Sequence, residues 1–392
     1  MTADREALKQ TAREFVRREV LPHLDDWEAA GEVPRELHQR AATQGLLGIS
    51  FPEEVGGEGG DLVTSIAVME GCFEAGASSG LMAALFTGGI ALPHMVSHWA
   101  ASGDADLIDR FVRPTLAGEL VGSLAVTEPG GGSDVANLRT TAELMTGDGD
   151  PYYLVNGTKT YVTSGVRADF VTTAVRTGSH DRGGHAGLSL LVIEKRTPGV
   201  TVDRALSKMG WHCSDTAELG FVDARVPVAN LVGEENTGFA LIAEQFVVER
   251  IALAVHGYGI AARSLELTVT HCREREAFGG PLIGNQVVRH RLVEMRRQVE
   301  VARAYTHEVA RRYVAGAHQE GSSVIAEACL AKQTATDCAT YVCDQAVQLH
   351  GGTGYLTGTE VERHYRDARI LPIGGGASEV LTDLAARLLG YT

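Results

Sequence analysis

Along the first third of the chain, apolar positions recur at helical spacing. In "REALKQTAREFVRREVLPHL", Leu8, Ala12, Phe15, Val16 and Val20 share one face, and Pro22 follows near its end. "PRELHQRAATQGLLG" begins with a proline suited to a first helical turn and closes on Gly48. "DLVTSIAVMEGCFEAG" and "SSGLMAALFTGGIALPHMV" are apolar and rich in small residues, which predicts helices packed inside a domain. "DADLIDRFVRPTLAGEL" completes this part.

The period then changes. "SLAVT", "YYLVNGTKTYVTSG", "DFVTTAVRT", "LSLLVIEK", "VTVDRAL" and "AELGFVDARVPV" are short β-branched runs separated by Gly, Asp, Asn and Pro. Asn156-Gly157, between two such runs, predicts a hairpin turn. The stretch reads as a β domain of roughly one hundred residues, the size class of a barrel or sandwich. After Gly233 the helical period returns in longer segments. "GFALIAEQFVVERIALAVHGYGIAARSLELTVTHCRERE", "NQVVRHRLVEMRRQVEVARAYTHEVARRYVAG" and "SSVIAEACLAKQTATDCATYVCDQAVQLHGG" predict three long helices, and "SEVLTDLAARLLG" a short closing one. Together they read as an antiparallel bundle. The expected class is α+β, with a helical domain over 1–121, a β domain over 122–232 and a four-helix bundle over 233–392.

Bulk properties narrow the function. A chain of 392 residues suggests two or three domains, and 44% apolar with 22% charged residues is ordinary for a globular protein. A formal charge of −15 argues against nucleic acid or an anionic membrane as partner. Cys72, Cys213, Cys272, Cys329, Cys338 and Cys343 show no CxxC spacing, so reduced thiols in a cytoplasm fit best. The polar N-terminus lacks the apolar core of a signal peptide, and no run is long enough to span a membrane. The fourteen histidines are read as surface or helix-packing residues for the most part, so no metal is implied.

"TEPGGGSD" (127–134) places a glycine-rich turn after a strand, where free N–H groups and hydroxyls can meet a flat polar ligand or a phosphate. It matches neither the dinucleotide fingerprint nor the P-loop, and alone it reads more readily as a plain turn. The picture changes with the motifs that accompany it. "LAVTEPGGGSDVANLRTTA", "VNGTKTYVTSG", "SKMGWHCSDTAELGFVDARVP", "REREAFGGPLIGNQ", "AVQLHGGTGYL" and "VERHYRDARILPIGGGASE" occur in this order. Together, over nearly the whole chain, they resemble the acyl-CoA dehydrogenase family of flavoproteins.

That resemblance implies FAD lying between the β domain and the bundle. Leu124, Val126, Thr127, Gly132 and Ser133 would contact the flavin, and Ser133 also the acyl thioester. Tyr161 and Thr163 would flank the ring system, with Tyr161 standing where the family usually has tryptophan. Arg275 would reach the FAD pyrophosphate of a neighbouring subunit by a charge-assisted contact. Phe278, Gln286, Gln348, Gly351, Gly352, Ser378 and Glu379 match further cofactor positions. A homotetramer, or at least a dimer, is implied, with an electron-transfer flavoprotein as acceptor.

The family's chemistry removes a proton from Cα of an acyl thioester while hydride leaves Cβ, which requires a desolvated carboxylate and donors to the thioester oxygen. In many members the base is a glutamate near the C-terminus; on alignment that position is Gly375. The sequence offers Glu249 instead, in "AEQFVVERIALAVHG", with Phe246, Ala252 and Leu253 on its side of a helix. A carboxylate on such a face is either paired or functional. A branch of the family that includes isovaleryl-CoA and citronellyl-CoA dehydrogenases carries its glutamate on this helix, just before an arginine, with a small residue at the C-terminal position. Glu249 with Gly375 reproduces that arrangement. Arg250 would be a substrate-side or structural cation, Gly374 and Gly375 would border the thioester, and Glu244 would be a solvated or capping charge. Desaturation of an acyl-CoA is the expected activity. An oxygen-using oxidase or monooxygenase, a carrier-protein thioester as substrate, and a non-catalytic scaffold are the alternatives.

Overall fold

The order α, then β, then α read from the sequence is the order found in a computed structural model, which describes residues 2–147, 149–178, 186–277, 279–317 and 323–391. The first part holds α1 (Ala3–Phe15), α2 (Leu24–Ala30), α3 (Arg35–Thr43), α4 (Leu62–Ala75), α5 (Ser79–Leu85), α6 (Gly88–Ala91), α7 (Pro93–Ser102) and α8 (Arg113–Leu116). Local chemistry sets these boundaries. Asp61 Oδ1 accepts from Thr64 N at 2.8 Å to start α4, and Gly76 at φ 107° ends it. Helix α3 ends at Thr43 rather than at Gly48, because Gly45 at φ 69° already takes the left-handed position. The run expected as one helix over "SSGLMAALFTGGIALPHMV" divides into α5, α6 and α7. Pro93 has no N–H to continue a helix and instead opens the next one.

Among the described residues the middle part is an eight-stranded sheet of β1 (Gly122–Ala125), β2 (Thr141–Met145), β3 (Tyr152–Thr163), β4 (Phe170–Arg176), β5 (Leu188–Glu194), β6 (Val200–Ala205), β7 (Thr216–Pro227) and β8 (Leu231–Val232). Its hydrogen-bonded path is β6-β7-β3-β2-β4-β5-β8, with β1 parallel to β4. Asn156-Gly157 is not the hairpin that its sequence suggests, since β3 runs through it. The register with β7 shifts between Val155 and Gly157, a bulge. Gly157 sits there at φ 151°, where a Cβ would lie 2.5 Å from Thr140 Oγ1. Asn156 binds across the strands instead, accepting from Asp223 N at 2.8 Å.

The last part contains α9 (Gly238–Glu274), α10 (Gln286–Val314) and α11 (Ser323–His350), then α12 (Gly352–Tyr355), α13 (Glu360–Ala368) and α14 (Ser378–Leu388). No helix among the described residues is long and apolar enough to cross a membrane. All six cysteines are free and buried.

Alternation along β4 and β5 docks the sheet on both sides. Phe170, Ala174, Leu190 and Val192 pack with Ala91, Met95, Phe111 and Ile242, joining the sheet to the first helices and to the start of α9. Val171, Val175, Leu191 and Ile193 face Tyr153, Val155, Leu219 and Phe221 within the sheet's own core. A third core joins α1, α3, α4 and α5 directly to α9, α10 and α11.

One side chain ties all three parts. Asp367 in α13 is fully buried; one oxygen accepts from Gly80 N at 3.1 Å and the other from Trp211 N at 2.6 Å. Trp211 Nε1 then donates to Ser79 Oγ at 3.0 Å, and Ser79 Oγ bonds His256 Nδ1 at 2.8 Å. Removing the Asp367 carboxylate leaves two buried N–H groups without acceptors. Asp367→Ala is therefore expected to lower stability by about 3 kcal/mol, read by chemical denaturation; a change under about 0.5 kcal/mol would contradict the role given to this joint.

Candidate active site

Helix α9 presents one face, with Leu241, Gln245, Val248, Glu249, Leu253 and His256 recurring from turn to turn, to a cavity of about 450 Å³. From Leu241 to His256 this face covers roughly 22 Å at 1.5 Å per residue. The opposite wall comes from α4, α5 and α7, and Gly122 and Thr163 of the sheet close one side. The cavity therefore lies where the three parts meet. It is lined mainly by apolar groups, such as Leu46, Val68, Met69, Met82 and Phe86, which suits a hydrocarbon chain.

Glu249 and Gly375, 126 positions apart in the sequence, are neighbours in the fold. A Cβ built on Gly375 would lie 3.3 Å from Glu249 Oε1 and 2.3 Å from Leu253 Cδ1. Gly375 has φ 65° and Gly376 φ 101°, both left-handed, so glycine is needed here for conformation as well as for space. Among the described residues Glu249 makes no ion pair. Burial pushes its carboxyl above the ordinary glutamate value, against the pull of Arg250 and Lys332 and the nearby amide of Gln245. A desolvated, unpaired carboxylate on the wall of an apolar cavity has the environment of a general base.

Other residues singled out from the sequence fall into three places. Leu124 lies in β1, and Val126 and Thr127 continue it beside the end of β3, where Thr160 N donates to Thr127 O at 2.9 Å. This brings them next to Tyr161 and Thr163. The turn that follows is anchored by Glu128, which accepts from Arg139 N, Thr140 N and Lys159 Nζ at 2.7–2.9 Å and leaves Gly132 and Ser133 exposed. Tyr161, held at φ 57°, is 70% exposed and borders a second groove with Arg204, Ser207, Lys208 and Thr216. An exposed aromatic ring beside two cations suits a flat anionic ligand such as the expected flavin nucleotide.

Arg275, Gln286, Gln348, Gly351 and Gly352 gather at one end of the bundle, exposed and remote from the cavity. There His271 of α9 stacks on His350 of α11 at 4.2 Å, and Leu282 N donates to Arg275 O at 2.7 Å. Ser378 begins α14, with its hydroxyl 3.4 Å from Pro372 O, and Glu379 points to solvent. Phe278 lies outside the described residues. Arg250, expected as a substrate-side or structural cation, is buried and is not among the residues that line the cavity. Its guanidinium lies 5.7 Å over the Phe246 ring and near Cys329 and Lys332. Glu244 is exposed at the rim of the cavity.

The sequence reading passed over two residues. Gln245 is buried one turn before Glu249. Lys332 is 1% exposed, and its Nζ donates to both Gly374 O and Gly376 O at 2.6 Å. The signal for it was present: a lysine among Ala328, Ala331 and Ala335, on the buried face of α11. Among the described residues no cluster of His, Cys, Asp and Glu is arranged to hold a metal ion.

The tight fit at Gly375 gives a direct prediction. Gly375→Ala places a methyl against Leu253 and Glu249 at a left-handed φ, and should lower the rate of reaction with substrate at least about 10²-fold while the protein still folds. Stopped-flow absorbance checks this, and a rate within threefold of the parent would contradict it.

Three family models match the chain in order: the acyl-CoA dehydrogenase N-terminal domain over residues 2–119, the middle domain over 123–224 and the C-terminal domain over 236–390. An acyl-CoA dehydrogenase of Bacillus subtilis is 34% identical over 393 residues, all of both chains. The long-chain specific acyl-CoA dehydrogenase of rat mitochondria is 34% identical over 98% of this chain and 86% of its own length. The crystal structure of an acyl-CoA dehydrogenase from Geobacillus kaustophilus superposes with a TM-score of 0.91 at 35% identity, covering 100% of this chain and 99% of the other. The chain belongs to the acyl-CoA dehydrogenase family.

Proposed function

We propose that this enzyme desaturates an acyl-CoA thioester between Cα and Cβ, with Glu249 as the base that takes the Cα proton. Membership of the family makes the chain a flavoprotein oxidoreductase acting on a CH–CH group of acyl-CoA, with FAD as cofactor. The observation that supports this choice of base is the fit between Glu249 and Gly375. The carboxylate stands where a side chain on residue 375 would otherwise reach, inside an apolar cavity. The same pairing is the one that the resemblance to the isovaleryl-CoA and citronellyl-CoA branch implies, and it supports reading the chain as a member of that branch.

Residues of this chain carry out the protein's share of the reaction. The apolar wall of the cavity binds the acyl chain and excludes water, which keeps Glu249 desolvated and basic enough to attack a weak carbon acid. The Gly375 N–H, which has no acceptor among the described residues, faces the thioester oxygen and stabilises the negative charge that develops as the Cα proton departs. The electron pair of the broken Cα–H bond becomes the new C=C bond, giving a trans-2-enoyl thioester. FAD supplies the acceptor for the Cβ hydride. Leu124, Val126, Thr127, Tyr161 and Thr163 would hold the flavin ring, with Gly132 and Ser133 on the turn beside it. Arg275, Gln286, Gln348, Gly351 and Gly352, exposed at the bundle end, would meet the cofactor of a neighbouring subunit, so the working form is a homotetramer. An electron-transfer flavoprotein is the electron acceptor, and the cytoplasm the compartment. Domain divisions after residues 121 and 232 are part of the same reading.

Glu249→Gln keeps size and hydrogen bonding but removes the base. Anaerobic titration of the yellow holoprotein with straight and branched acyl-CoAs should bleach the parent flavin, whereas the variant should retain FAD and react about 10²–10⁴-fold more slowly. Near-parental bleaching by the variant would contradict the assignment. The sign of the pH dependence also follows. The base works only when ionised, so the parent's rate should rise with pH, with a midpoint above the ordinary glutamate value because burial raises the Glu249 carboxyl.

A further inference from the structure

We propose that Lys332 is the positioning residue of this active site: its ammonium pins the carbonyls of Gly374 and Gly376, which turns the Gly375 N–H toward the thioester oxygen, and its charge faces Glu249. The inference rests on the reading of Glu249 as base.

Geometry carries the first half. Lys332 is 1% exposed in the middle of α11, and burying an ammonium is costly unless its donors are satisfied. They are satisfied by the loop, with Nζ 2.6 Å from Gly374 O and 2.6 Å from Gly376 O. These carbonyls flank the one residue that has been given an oxyanion role. In a trans peptide the C=O and N–H point in opposite directions. A Gly374 carbonyl held toward α11 therefore sends the Gly375 N–H away from α11. The left-handed values at Gly375 and Gly376 let two carbonyls so close in sequence converge on one cation.

Electrostatics carries the second half. Two cations face Glu249: Arg250 from its own helix and Lys332 from α11. Gln245 adds an amide, Glu244 and His256 line the same cavity, and Tyr313 joins them from α10. Lys332 faces Glu249, Arg250 and the Cys329 thiol. Among the described residues Arg250 makes no hydrogen bond to the glycine loop, whereas Lys332 binds that loop and also acts on Glu249 through its charge. Burial brings the Lys332 ammonium down to about 8, against the pull of Glu249. Its charge is thus present when Glu249 ionises and is lost at mildly alkaline pH.

The test uses the FAD-loaded enzyme and two variants. In the parent, flavin reduction against pH should show an acid limb from Glu249 and an alkaline limb near 8 from Lys332. Lys332→Arg keeps a charge that does not titrate in this range, so the alkaline limb should disappear. Lys332→Met should move the acid limb up by about one pH unit and slow reduction about 10²-fold. A second readout does not depend on turnover: the infrared band of the thioester carbonyl in bound trans-2-enoyl-CoA. A carbonyl polarised by the Gly375 N–H absorbs at lower frequency, and this shift should shrink in Lys332→Met but persist in Glu249→Gln. If Lys332→Met fails to fold, the limb in Lys332→Arg decides. An alkaline limb unchanged in Lys332→Arg, or a carbonyl band and acid limb unchanged in Lys332→Met, overturns the proposal. Parental turnover in Glu249→Gln would instead overturn the base assignment and leave the carbonyl result standing.

Discussion

The space at residue 375 is occupied from the other side. Leu253 and Glu249, projecting from α9, leave no volume for a side chain there, and the backbone takes a left-handed turn that disfavours one. This exclusion, with the left-handed backbone at 375 and 376, explains why glycine stands at both positions, and it leaves the space beside Leu253 to the Glu249 carboxylate. An acid on α9 and a bare loop opposite it are one device, since either change alone would leave a clash or an empty centre.

Holding that device in place requires elements far apart in the chain. Helix α9 is fixed by packing with α4, α10 and α11 in one continuous core, while its first turns also pack on β4 and β5. The glycine loop is fixed by Lys332 beneath it and by α14 after it. The Asp367 carboxylate, with Trp211 and Ser79, locks the domains at the cavity's edge, and His256 completes that chain of bonds from α9 itself. Displacement of any one part would be felt at Glu249, the proposed base, because a proton transfer tolerates little change in distance.

Much of this could be read from residues alone. Periodicity gave the order of helices and strands, because amphipathic spacing and β-branched alternation are strong, local signals. The pairing of Glu249 with Gly375 was legible only through the family motifs; no local rule joins positions 126 residues apart. Where local rules failed, a tertiary contact had overruled them. Asn156-Gly157 has the chemistry of a turn, yet Thr140 packs against Gly157 and Asp223 pairs with Asn156, so the strand continues through a bulge. Arg250 shows the same limit, since helical spacing cannot say whether a side chain next to Glu249 turns toward the cavity or into the bundle. Lys332 was missed for a different reason. Its place on the apolar face of α11 marks it as unusual, but its partners are backbone carbonyls of a distant loop, so side-chain pattern cannot say what it binds.

The central claim is that a single carboxylate, on α9, takes the Cα proton. A 3-thia acyl-CoA isolates that step, because it has an acidic Cα–H but no Cβ hydrogen to lose. The measurement is incorporation of deuterium at Cα from D₂O, followed by mass spectrometry, for the parent holoenzyme and for Glu249→Gln. The account predicts exchange with the parent and none above the uncatalysed rate with the variant. Exchange at the parental rate in Glu249→Gln would contradict it and place the base elsewhere.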